Sequence, residues 1–507
     1  MLNPPTAKEY KIFINSDKNK LYFLSGISLL LLMTGMFLFL KFNPEVSFLY
    51  LPFVIITCFY LIITFIIGVF GKKFDYKFHQ KLIREIQPES LDESVRPTID
   101  IYYPTCGEDY DVQLNAIFAI VDLQKRWGTN CHIYILDDSI DASSHKVYQR
   151  AKLRTNNIHY IRRENRGYLK KAGNLRNAFL KTKGEYIAIF DADFVPSSNF
   201  FENTLPYFFY DETIGIVQTP QFFDPDDQKT WVSKGTAYVQ ELFYRLIQVS
   251  RNNFDGSICV GTCGIYSRKC LEPFGGTADI AYSEDVRTGF RITTIGFKVR
   301  YIPLVLSKGL CPDTLPAFFL QQHRWALGSI DLFFSKEFWA NKLTIMQRFC
   351  YLSGMLYYIS TGLSVLFINI PSIYLLLFKP HLILIFNAVF SLPSFLIGTA
   401  FNAYWSKFEW GIHAMMSRQV SYYANLFAFI EKLTGNITPW QATGIAKKTK
   451  VYSNFQHLIF WNSIITYSFV IFCIGQHIEH GILNFLPTIF FQTINLYISL
   501  RILRDQI

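Results

Sequence analysis

Six long apolar stretches limit what this chain can fold into more than any other feature. Each has about the 20 residues that a helix needs to cross the hydrocarbon core of a bilayer, and none carries Lys, Arg, Asp or Glu. They are Leu21–Leu40, Val46–Phe70, Phe349–Phe378, Pro380–Ser406, Val451–Gln476 and Gly481–Leu500. Pro371 and Pro393 interrupt the third and fourth, which is tolerated where neighbouring helices cover the freed backbone groups. We therefore predict about six transmembrane helices in a chain that is half hydrophobic and only 17% charged.

The basic residues beside these stretches lie mostly on one side of the predicted membrane. That side holds Lys8, Lys11, Lys18, Lys20, Lys72, Lys73, Lys77, Lys81, Lys407, Arg418, Lys432, Lys447, Lys448, Lys450, Arg501 and Arg504. The short loops on the other side hold only Lys41 and Lys379. Because Lys and Arg accumulate in cytoplasmic loops, we predict a multi-pass protein of the plasma membrane, with both termini and the large middle segment in the cytoplasm.

The middle segment, from about residue 95 to residue 310, alternates strand-like and helix-like patterns. The strand candidates are Ile99–Thr105, His132–Leu136, Ile158–Ile161, Tyr186–Phe190 and Ile214–Thr219. Helical patterns fall between them, near 111–126, 143–155 and 171–183. Strands that alternate with helices predict an α/β domain with a parallel, doubly wound sheet. Ligands of such sheets bind beyond the carboxyl ends of the strands.

Two acidic clusters directly follow predicted strands. Asp137 and Asp138 come after one strand, and Asp191 and Asp193 come after another, so both pairs should project from the same edge of the sheet. Carboxylates and a diphosphate suit Mg²⁺ or Mn²⁺, which would stabilise a nucleoside diphosphate leaving group. An Asp-x-Asp pattern alone is common and usually marks a solvated turn, so its position after the strand Tyr186–Phe190 is what favours a metal site.

Ser283-Glu284-Asp285 is a third acidic cluster, and it opens a helical stretch. A hydroxyl group attacks poorly unless a base removes its proton, and the Asp285 carboxylate is a candidate for such a base. The simpler interpretation is a helix N-cap formed by Ser283, and both can hold together.

Gln321-Gln322-His323-Arg324-Trp325 is the most specific pattern in the chain. On a helix, Gln321, Arg324 and Trp325 share one face. The Arg324 guanidinium can pair with a diphosphate through two hydrogen bonds, and the Trp325 ring can stack on a sugar. Tryptophan on an interface helix is otherwise usually a membrane anchor.

In this order the four patterns resemble the D, DxD, [ST]ED, QxxRW signature of the processive family 2 glycosyltransferases, above all the cellulose synthase-like enzymes. The resemblance implies a Rossmann-like GT-A domain inserted between membrane helices, with Asp285 and Glu284 in the catalytic centre and Asp191 and Asp193 on Mg²⁺ or Mn²⁺. The nucleotide-sugar ligands that it implies are Thr105, Glu108, Asp137, Asp138, Lys171 of the KAGN segment, Asp191, Gln321 and Arg324. Trp325 would hold the acceptor. Cys106-Gly107 replaces the family's usual Tyr-Asn in the first loop.

Two further segments extend the resemblance to about residues 95–450. Val217–Phe223 resembles the family's VQTPxxF, and Trp440–Lys447 resembles the gating loop FxVTxK of cellulose synthases, with Trp for Phe and a longer Thr–Lys spacing. The second match implies that Thr443 and Lys447 reach the diphosphate when this loop closes over the donor. It favours the processive branch of the family.

The sequence therefore predicts a synthase that polymerises a β-linked polysaccharide, with UDP-glucose as the favoured donor, and extrudes this capsule or exopolysaccharide through its own membrane helices. Its partners are the UDP-sugar, the growing polysaccharide and membrane lipid; a homo-oligomer stays open. The predicted divisions are 1–72 for the N-terminal arm and two transmembrane helices, 73–311 for the cytosolic catalytic domain, 312–348 for interface helices with QxxRW, 349–406 for two transmembrane helices, 407–450 for an interface helix and the gating-like loop, and 451–507 for two transmembrane helices and the tail.

Other functions are less well supported by the residues. The net charge of +10 is spread along the chain, which argues against nucleic acid as a partner. A transporter would need a phosphate loop or charges inside the spans, and neither occurs. A non-processive transferase acting on a lipid, or a hyaluronan- or chitin-type synthase using another UDP-sugar, remains an alternative. About thirty residues follow the fifth span, too few for a cyclic-di-GMP-binding domain, so we expect no regulation by that route within this chain.

The nine cysteines are an odd number without the spacing of a disulfide framework. Cys259, Cys263 and Cys270 loosely suggest a metal site, but no histidine or fourth cysteine completes one. We predict reduced, buried thiols.

Overall fold

The computed structural model describes residues 2–14, 18–401, 411–439 and 449–504. Two long helices and a short one open the chain: α1 (Lys18–Phe42), α2 (Ser47–Phe70) and α3 (Tyr76–Glu85). The first two pack against each other and contain the first two predicted spans. Asp75 caps α3 by accepting a hydrogen bond from the Phe78 backbone N–H at 2.9 Å, which ends the membrane-proximal segment and begins the α/β domain.

The α/β domain is built on a seven-stranded sheet in the order β3-β2-β1-β4-β7-β6-β8. The strands, with two more that pair beside this sheet, are β1 (Ile99–Thr105), β2 (Cys131–Asp137), β3 (Ile158–Ile161), β4 (Tyr186–Ile189), β5 (Phe194–Pro196), β6 (Ile214–Gln218), β7 (Gly264–Ser267), β8 (Lys298–Tyr301) and β9 (Ser307–Gly309). All five predicted strands are present. The predicted parallel sheet is correct except for β7, which runs antiparallel to both β4 and β6. Neither β7 nor β8, which pairs parallel with β6, was predicted.

Helices cover both faces of this sheet. They are α4 (Tyr110–Trp127), α5 (Ser144–Lys152), α6 (Lys170–Lys181), α7 (Phe200–Thr204), α8 (Pro206–Tyr210), α9 (Trp231–Leu242), α10 (Gln248–Asn252), α11 (Arg268–Leu271) and α12 (Glu284–Thr294). Every residue of β1 is buried, because a central strand of a parallel sheet packs against helices on both sides. One apolar core includes residues of α4 and α5, and another includes residues of α6 and α11.

The register of the central strands brings their carboxyl ends together. Thr105 at the end of β1 lies opposite Asp137 at the end of β2, and Tyr102 lies opposite Ile189 of β4. Polar residues that follow these strands therefore share one edge of the sheet, as the sequence predicted.

The remaining helices are long and apolar or pack beneath the domain. They are α13 (Leu315–Phe334), α14 (Lys336–Ala340), α15 (Ile345–Phe367), α16 (Ile370–Phe378), α17 (Leu392–Leu396), α18 (Ile412–Thr434), α19 (Lys450–Gln476) and α20 (Ile482–Arg504). The helix α13 packs on α18 and α15, and its Phe319 ring stacks on Phe455 of α19 at 4.7 Å between centroids. The helix that carries the QxxRW pattern is thus joined to the membrane helices.

Five helical runs among the described residues are long and apolar enough to cross a membrane: Tyr22–Phe42, Pro44–Phe70, Ile345–Phe378, Lys450–Gln476 and Ile482–Arg504. The chain is therefore a multi-pass membrane protein. The predicted span Pro380–Ser406 differs, because its described part, up to Phe401, consists of short helical turns. Pro380 and Pro393 each begin such a turn, since proline fits the first turn of a helix and not its interior. Residues 402–406 lie outside the described ranges.

Candidate active site

The ends of β1 and β2 form a rim of polar side chains that are fixed by hydrogen bonds to other groups of the protein. One oxygen of the buried Asp137 accepts a hydrogen bond from the Ser139 backbone N–H at 2.8 Å, and the other accepts one from the Tyr160 hydroxyl at 2.6 Å. The Thr105 hydroxyl accepts a hydrogen bond from Ser144 at 2.8 Å. Both predicted nucleotide ligands thus stand at the expected edge and are anchored there by protein hydrogen bonds.

Asp138 is held by an arginine that the sequence did not single out. The Arg163 guanidinium donates two hydrogen bonds to the Asp138 carboxylate, and the two side chains are only 2% and 7% exposed. The same guanidinium donates to the Lys170 carbonyl at 3.1 Å, which ties the rim to the start of α6. A side chain at Gly173 would collide with Arg163 and with the Tyr168 carbonyl, so the glycine of the KAGN segment allows this close packing.

Glu108 lies on the loop that follows β1 and faces the same space. Its carboxylate accepts a hydrogen bond from the Cys106 backbone N–H at 2.7 Å. Burial raises the pKa of Glu108, and the charges of Asp191 and Asp137 add to the effect. The loop therefore brings a third acidic side chain toward the end of β4.

The Asp191-x-Asp193 pair lies beyond β4, next to the predicted lysine. The Lys171 ammonium donates a hydrogen bond to the Asp191 carboxylate and another to the Gly261 carbonyl at 2.9 Å. The Asp191 backbone N–H donates to the Thr262 hydroxyl at 2.9 Å. Burial, with the negative charge of Asp191, raises the pKa of Asp193 to about 7. Two carboxylates close together offer the oxygen ligands that a hard cation such as Mg²⁺ or Mn²⁺ prefers.

Glu284 and Asp285 occupy the first turn of α12. Burial raises the pKa of both carboxyl groups, and the Asp285 charge contributes to the shift at Glu284. One Asp285 oxygen accepts a hydrogen bond from the Val286 backbone N–H at 2.8 Å. Ser283 precedes the helix in a left-handed conformation, with φ of 49°, and makes no side-chain capping bond. The expected serine cap is therefore absent.

Two glycines, which the sequence analysis missed, fix the position of this turn. A Cβ atom at Gly261, where φ is +77°, would lie 2.9 Å from the Asp285 Cβ, and one at Gly328 of α13 would collide with the Ser283 side chain. Gly261 thus contacts Asp285 and accepts a hydrogen bond from Lys171. In the sequence, a glycine within Val260–Gly264 was the only sign of a special backbone position. Which residues it contacts depends on the tertiary fold and could not be predicted.

The QxxRW residues lie on α13 and face the same acidic cluster. Burial lowers the pKa of Arg324 to about 10, while Glu284 and Asp191 stabilise its charged form, so it is a cation at neutral pH. Trp325 and Asp285 line one cavity. The side-chain oxygen of Gln321 is buried and has no hydrogen-bond partner within the described ranges.

That cavity has a volume of about 1460 Å³ and continues between the membrane helices. Its walls come from α1, α2, α15, α16, α18 and α20, and it reaches Leu382 and Asn484 near their far ends. Many lining side chains are polar, among them Thr57, Ser360 and Asn369. Asp285 and Trp325 thus line the same cavity as side chains of the long apolar helices.

The segment Trp440–Lys447, with Thr443 and Lys447, lies outside the described residues. The chain just before it is anchored to the site. The Thr438 backbone N–H donates to Glu431 of α18 at 2.9 Å, and the Thr438 carbonyl accepts from the Tyr282 hydroxyl at 3.1 Å. Glu431 in turn lies 3.1 Å from the His323 imidazole of α13.

The cysteines form no metal centre among the described residues. All nine are free, and Cys259, Cys263 and Cys270 are buried. Burial raises the pKa of all three thiols, and the three cysteines are buried as predicted.

The chain is similar to known glycosyltransferases. Residues 186–407 match the family described as glycosyl transferase family group 2. The chain is 30% identical over 285 residues to a UDP-forming cellulose synthase catalytic subunit of Pseudomonas fluorescens, and 30% identical over 284 residues to one of Komagataeibacter xylinus. These alignments cover 55% of this chain and 38% and 37% of the relatives, so the chain spans well under half of their length.

A solved structure has a similar fold. A mannosyltransferase from Pyrobaculum calidifontis, in complex with GDP-Man and Mn²⁺, has a TM-score of 0.50 at 14% identity and covers 76% of this chain and 99% of its own. The α/β fold expected from the sequence is thereby confirmed.

Proposed function

We propose that the chain is a processive, inverting glycosyltransferase that builds a β-linked polysaccharide from a UDP-sugar, since residues 186–407 match the family described as glycosyl transferase family group 2. The single observation that carries this proposal is the shared cavity. It joins the Asp285 carboxylate and the Trp325 ring to a passage of about 1460 Å³ between the membrane helices. A transferase that releases a small product has no use for such a passage.

The donor diphosphate would bind where two positively charged side chains lie next to the acidic cluster. Lys171 and Arg324 lie beside Asp191, and their charges suit a diphosphate, Arg324 through its two-pronged geometry. Asp191 and Asp193 would hold Mg²⁺ or Mn²⁺, which neutralises charge on the leaving diphosphate when bound. Thr105, Glu108, Asp137 and Asp138 would frame the uridine at the rim.

The acceptor would be held by Trp325 and activated by Asp285. A carboxylate with a raised pKa, buried beside the cavity, is suited to take the proton of a sugar hydroxyl as that hydroxyl attacks the anomeric carbon. The bond to the new sugar forms as the bond to the diphosphate breaks, which inverts the anomeric configuration. Burial raises the pKa of Asp285, and the negative charge of Asp191 adds to the effect.

The polymer would leave through the membrane passage, one sugar at a time. The basic residues that flank the helices favour a cytoplasmic catalytic domain, where UDP-sugars are made, and an exit on the opposite side. UDP-glucose is the favoured donor because cellulose synthase subunits are the relatives that the chain resembles over 55% of its length.

The test is a product analysis with the purified full chain in lipid nanodiscs. Each UDP-sugar is supplied in turn with Mg²⁺ or Mn²⁺, UDP release is followed, and products are sized and digested with linkage-specific glycosidases. We expect UDP release from UDP-glucose with a long product that a β-glucanase degrades. A product of one added sugar, or one bound to lipid, would overturn processivity. A long polymer from another UDP-sugar would overturn only the choice of donor.

A further inference from the structure

A cluster of metal-binding side chains lies far from the active site, on the turn between α19 and α20. His477, Glu479 and His480 each present one ligand atom, and these atoms all lie within 4.8 Å of one another. No other group of three or more such residues meets this criterion in the described parts of the chain. We propose that this turn binds a divalent transition-metal ion such as Zn²⁺.

The position of the turn separates it from the catalytic chemistry. The helix α19 begins beside α13, where the Tyr452 ring lies 5.7 Å from Phe319. Its 27 residues at 1.5 Å each carry the chain about 40 Å further before the turn begins. The inference therefore does not depend on the proposed function.

The distances between the ligand atoms are close to those of a coordination sphere. Glu479 Oε1 lies 3.7 Å from His477 Nδ1 and 3.7 Å from His480 Nε2. Two ligands about 2.1 Å from a tetrahedral zinc ion are about 3.4 Å apart, so small side-chain rotations would complete the site. Two imidazoles and one carboxylate are a ligand set that zinc accepts, and imidazole favours Zn²⁺, Cu²⁺ or Ni²⁺ over Mg²⁺.

The backbone of the turn is already fixed without a metal. The His477 N–H donates to the Ile474 carbonyl, and the Gly481 N–H donates to the Ile478 carbonyl at 2.9 Å. Gly481 has φ of +88°, a conformation that glycine adopts without strain. The Asn484 amide donates to the His480 carbonyl at 2.9 Å. Because the backbone is already ordered, metal binding restricts only the conformational freedom of the side chains.

A fourth ligand is within reach on a neighbouring loop. The His381 ring, after α16, lies 6.5 Å from the His480 ring between centroids. The same two loops are already joined by a hydrogen bond of 3.2 Å from the Ile385 N–H to the Asn484 side-chain oxygen. Leu382 and Asn484 line the far end of the cavity, so a metal held by both loops would fasten them together beside that end.

Calorimetric titration of Zn²⁺ into the full chain tests this site. The protein is purified through a tag without histidine and stripped with a chelator, and excess Mg²⁺ is added to fill the carboxylate site at Asp191 and Asp193. We expect one Zn²⁺ per chain and a rise in melting temperature. The variant His477→Ala/His480→Ala should weaken Zn²⁺ binding at least about 100-fold, since even residues that only support metal ligands are worth about 10- to 100-fold.

The matched control is His145→Ala/His159→Ala, which removes two histidines of the catalytic domain and should bind Zn²⁺ like the wild type. His381→Ala should bind about tenfold more weakly if it supplies the fourth ligand. Lack of saturable binding to the wild type, or equal binding to the His477/His480 variant, would overturn the site. Unchanged affinity of His381→Ala would overturn the bridge between the two loops.

Discussion

Two groups of acidic residues lie in the candidate active site, yet they are built in opposite ways. In the rim, Asp137 and Asp138 have their carboxylate oxygens occupied by donors from the protein. In the reaction cluster of Asp193, Glu284 and Asp285, burial raises the pKa of each carboxyl group, and the charge of Asp191 adds to each shift. The rim carboxylates already have hydrogen-bond partners within the protein, so the rim serves as a structural frame. The reaction cluster carries an electrostatic cost that a cation or a transferred proton can relieve.

The largest effect should follow loss of the base. Asp285→Asn keeps size and shape but cannot accept the acceptor proton, and positioned bases contribute about a hundred- to ten-thousand-fold to rate. Polymer synthesis should fall by that order while UDP affinity stays near that of the wild type. Radiolabelled polymer and UDP binding, measured side by side, check this. Near-normal synthesis by Asp285→Asn would place the base elsewhere.

The metal-site variants provide the contrast. Asp191→Asn and Asp193→Asn should lose UDP affinity that depends on Mn²⁺ along with rate, because those carboxylates are proposed to hold the cation. If Asp285→Asn loses UDP affinity as severely as they do, the division between base and metal ligands fails.

Removing the rim's arginine should cost stability. Arg163→Met leaves Asp138 buried without its partner, and breaking a buried pair in this way costs about 3–5 kcal/mol of unfolding free energy. The exposed pair Arg126–Glu202 is the matched control, and Arg126→Met should cost about 0–1 kcal/mol. Denaturant unfolding of the three proteins measures both. Equal losses would mean that the rim is not the structural frame described above.

A smaller effect is expected at the acceptor site. Trp325→Ala should slow elongation about 10- to 100-fold, the equivalent of the 1.5–3 kcal/mol that burying a large apolar side chain is worth. UDP affinity should not change, because the ring is proposed to touch the acceptor alone. Trp339→Ala, at an exposed tryptophan of α14, is the control and should leave elongation unchanged. A parallel loss of UDP affinity in Trp325→Ala would instead assign Trp325 to the support of the donor site.

The smallest effect should be a pH dependence of stability. The pKa of Asp193 is raised to about 7, so the folded, metal-free protein holds this proton where the unfolded chain has lost it. The stability that the proton provides is present at low pH and is lost as pH rises through about 7. Between pH 6 and pH 8 the loss should be about 1 kcal/mol, and Asp193→Asn should remove it. Thermal melts in chelator check the difference, and identical slopes for the two proteins would contradict it.

The strands could be predicted from the sequence because each one is marked by an apolar run and by turn residues within the same short segment. The sequence also placed the acidic pairs at one edge, since parallel strands end together. It missed Arg163, Gly261, Gly328 and Glu431, whose roles depend on contacts with residues 24 or more positions away in the chain. It also missed β7, a short strand between turns whose antiparallel pairing is decided by β4 and β6. The predicted span after Pro380 is not one continuous helix in its described part. Its apolar composition is typical of a transmembrane helix, but Pro380 and Pro393 lie in the first turns of short helical segments.

The cavity between the membrane helices has a consequence for the permeability of the membrane. A passage of about 1460 Å³ has room for several tens of water molecules, and a continuous file of water would let ions follow the membrane potential, worth about 2.3 kcal/mol per charge at 100 mV. A polysaccharide that fills the passage would block that leak, so the product would also act as the seal. Vesicles containing the protein should then conduct ions only after their polymer is cleared, and equal conductance before and after clearance would refute the idea.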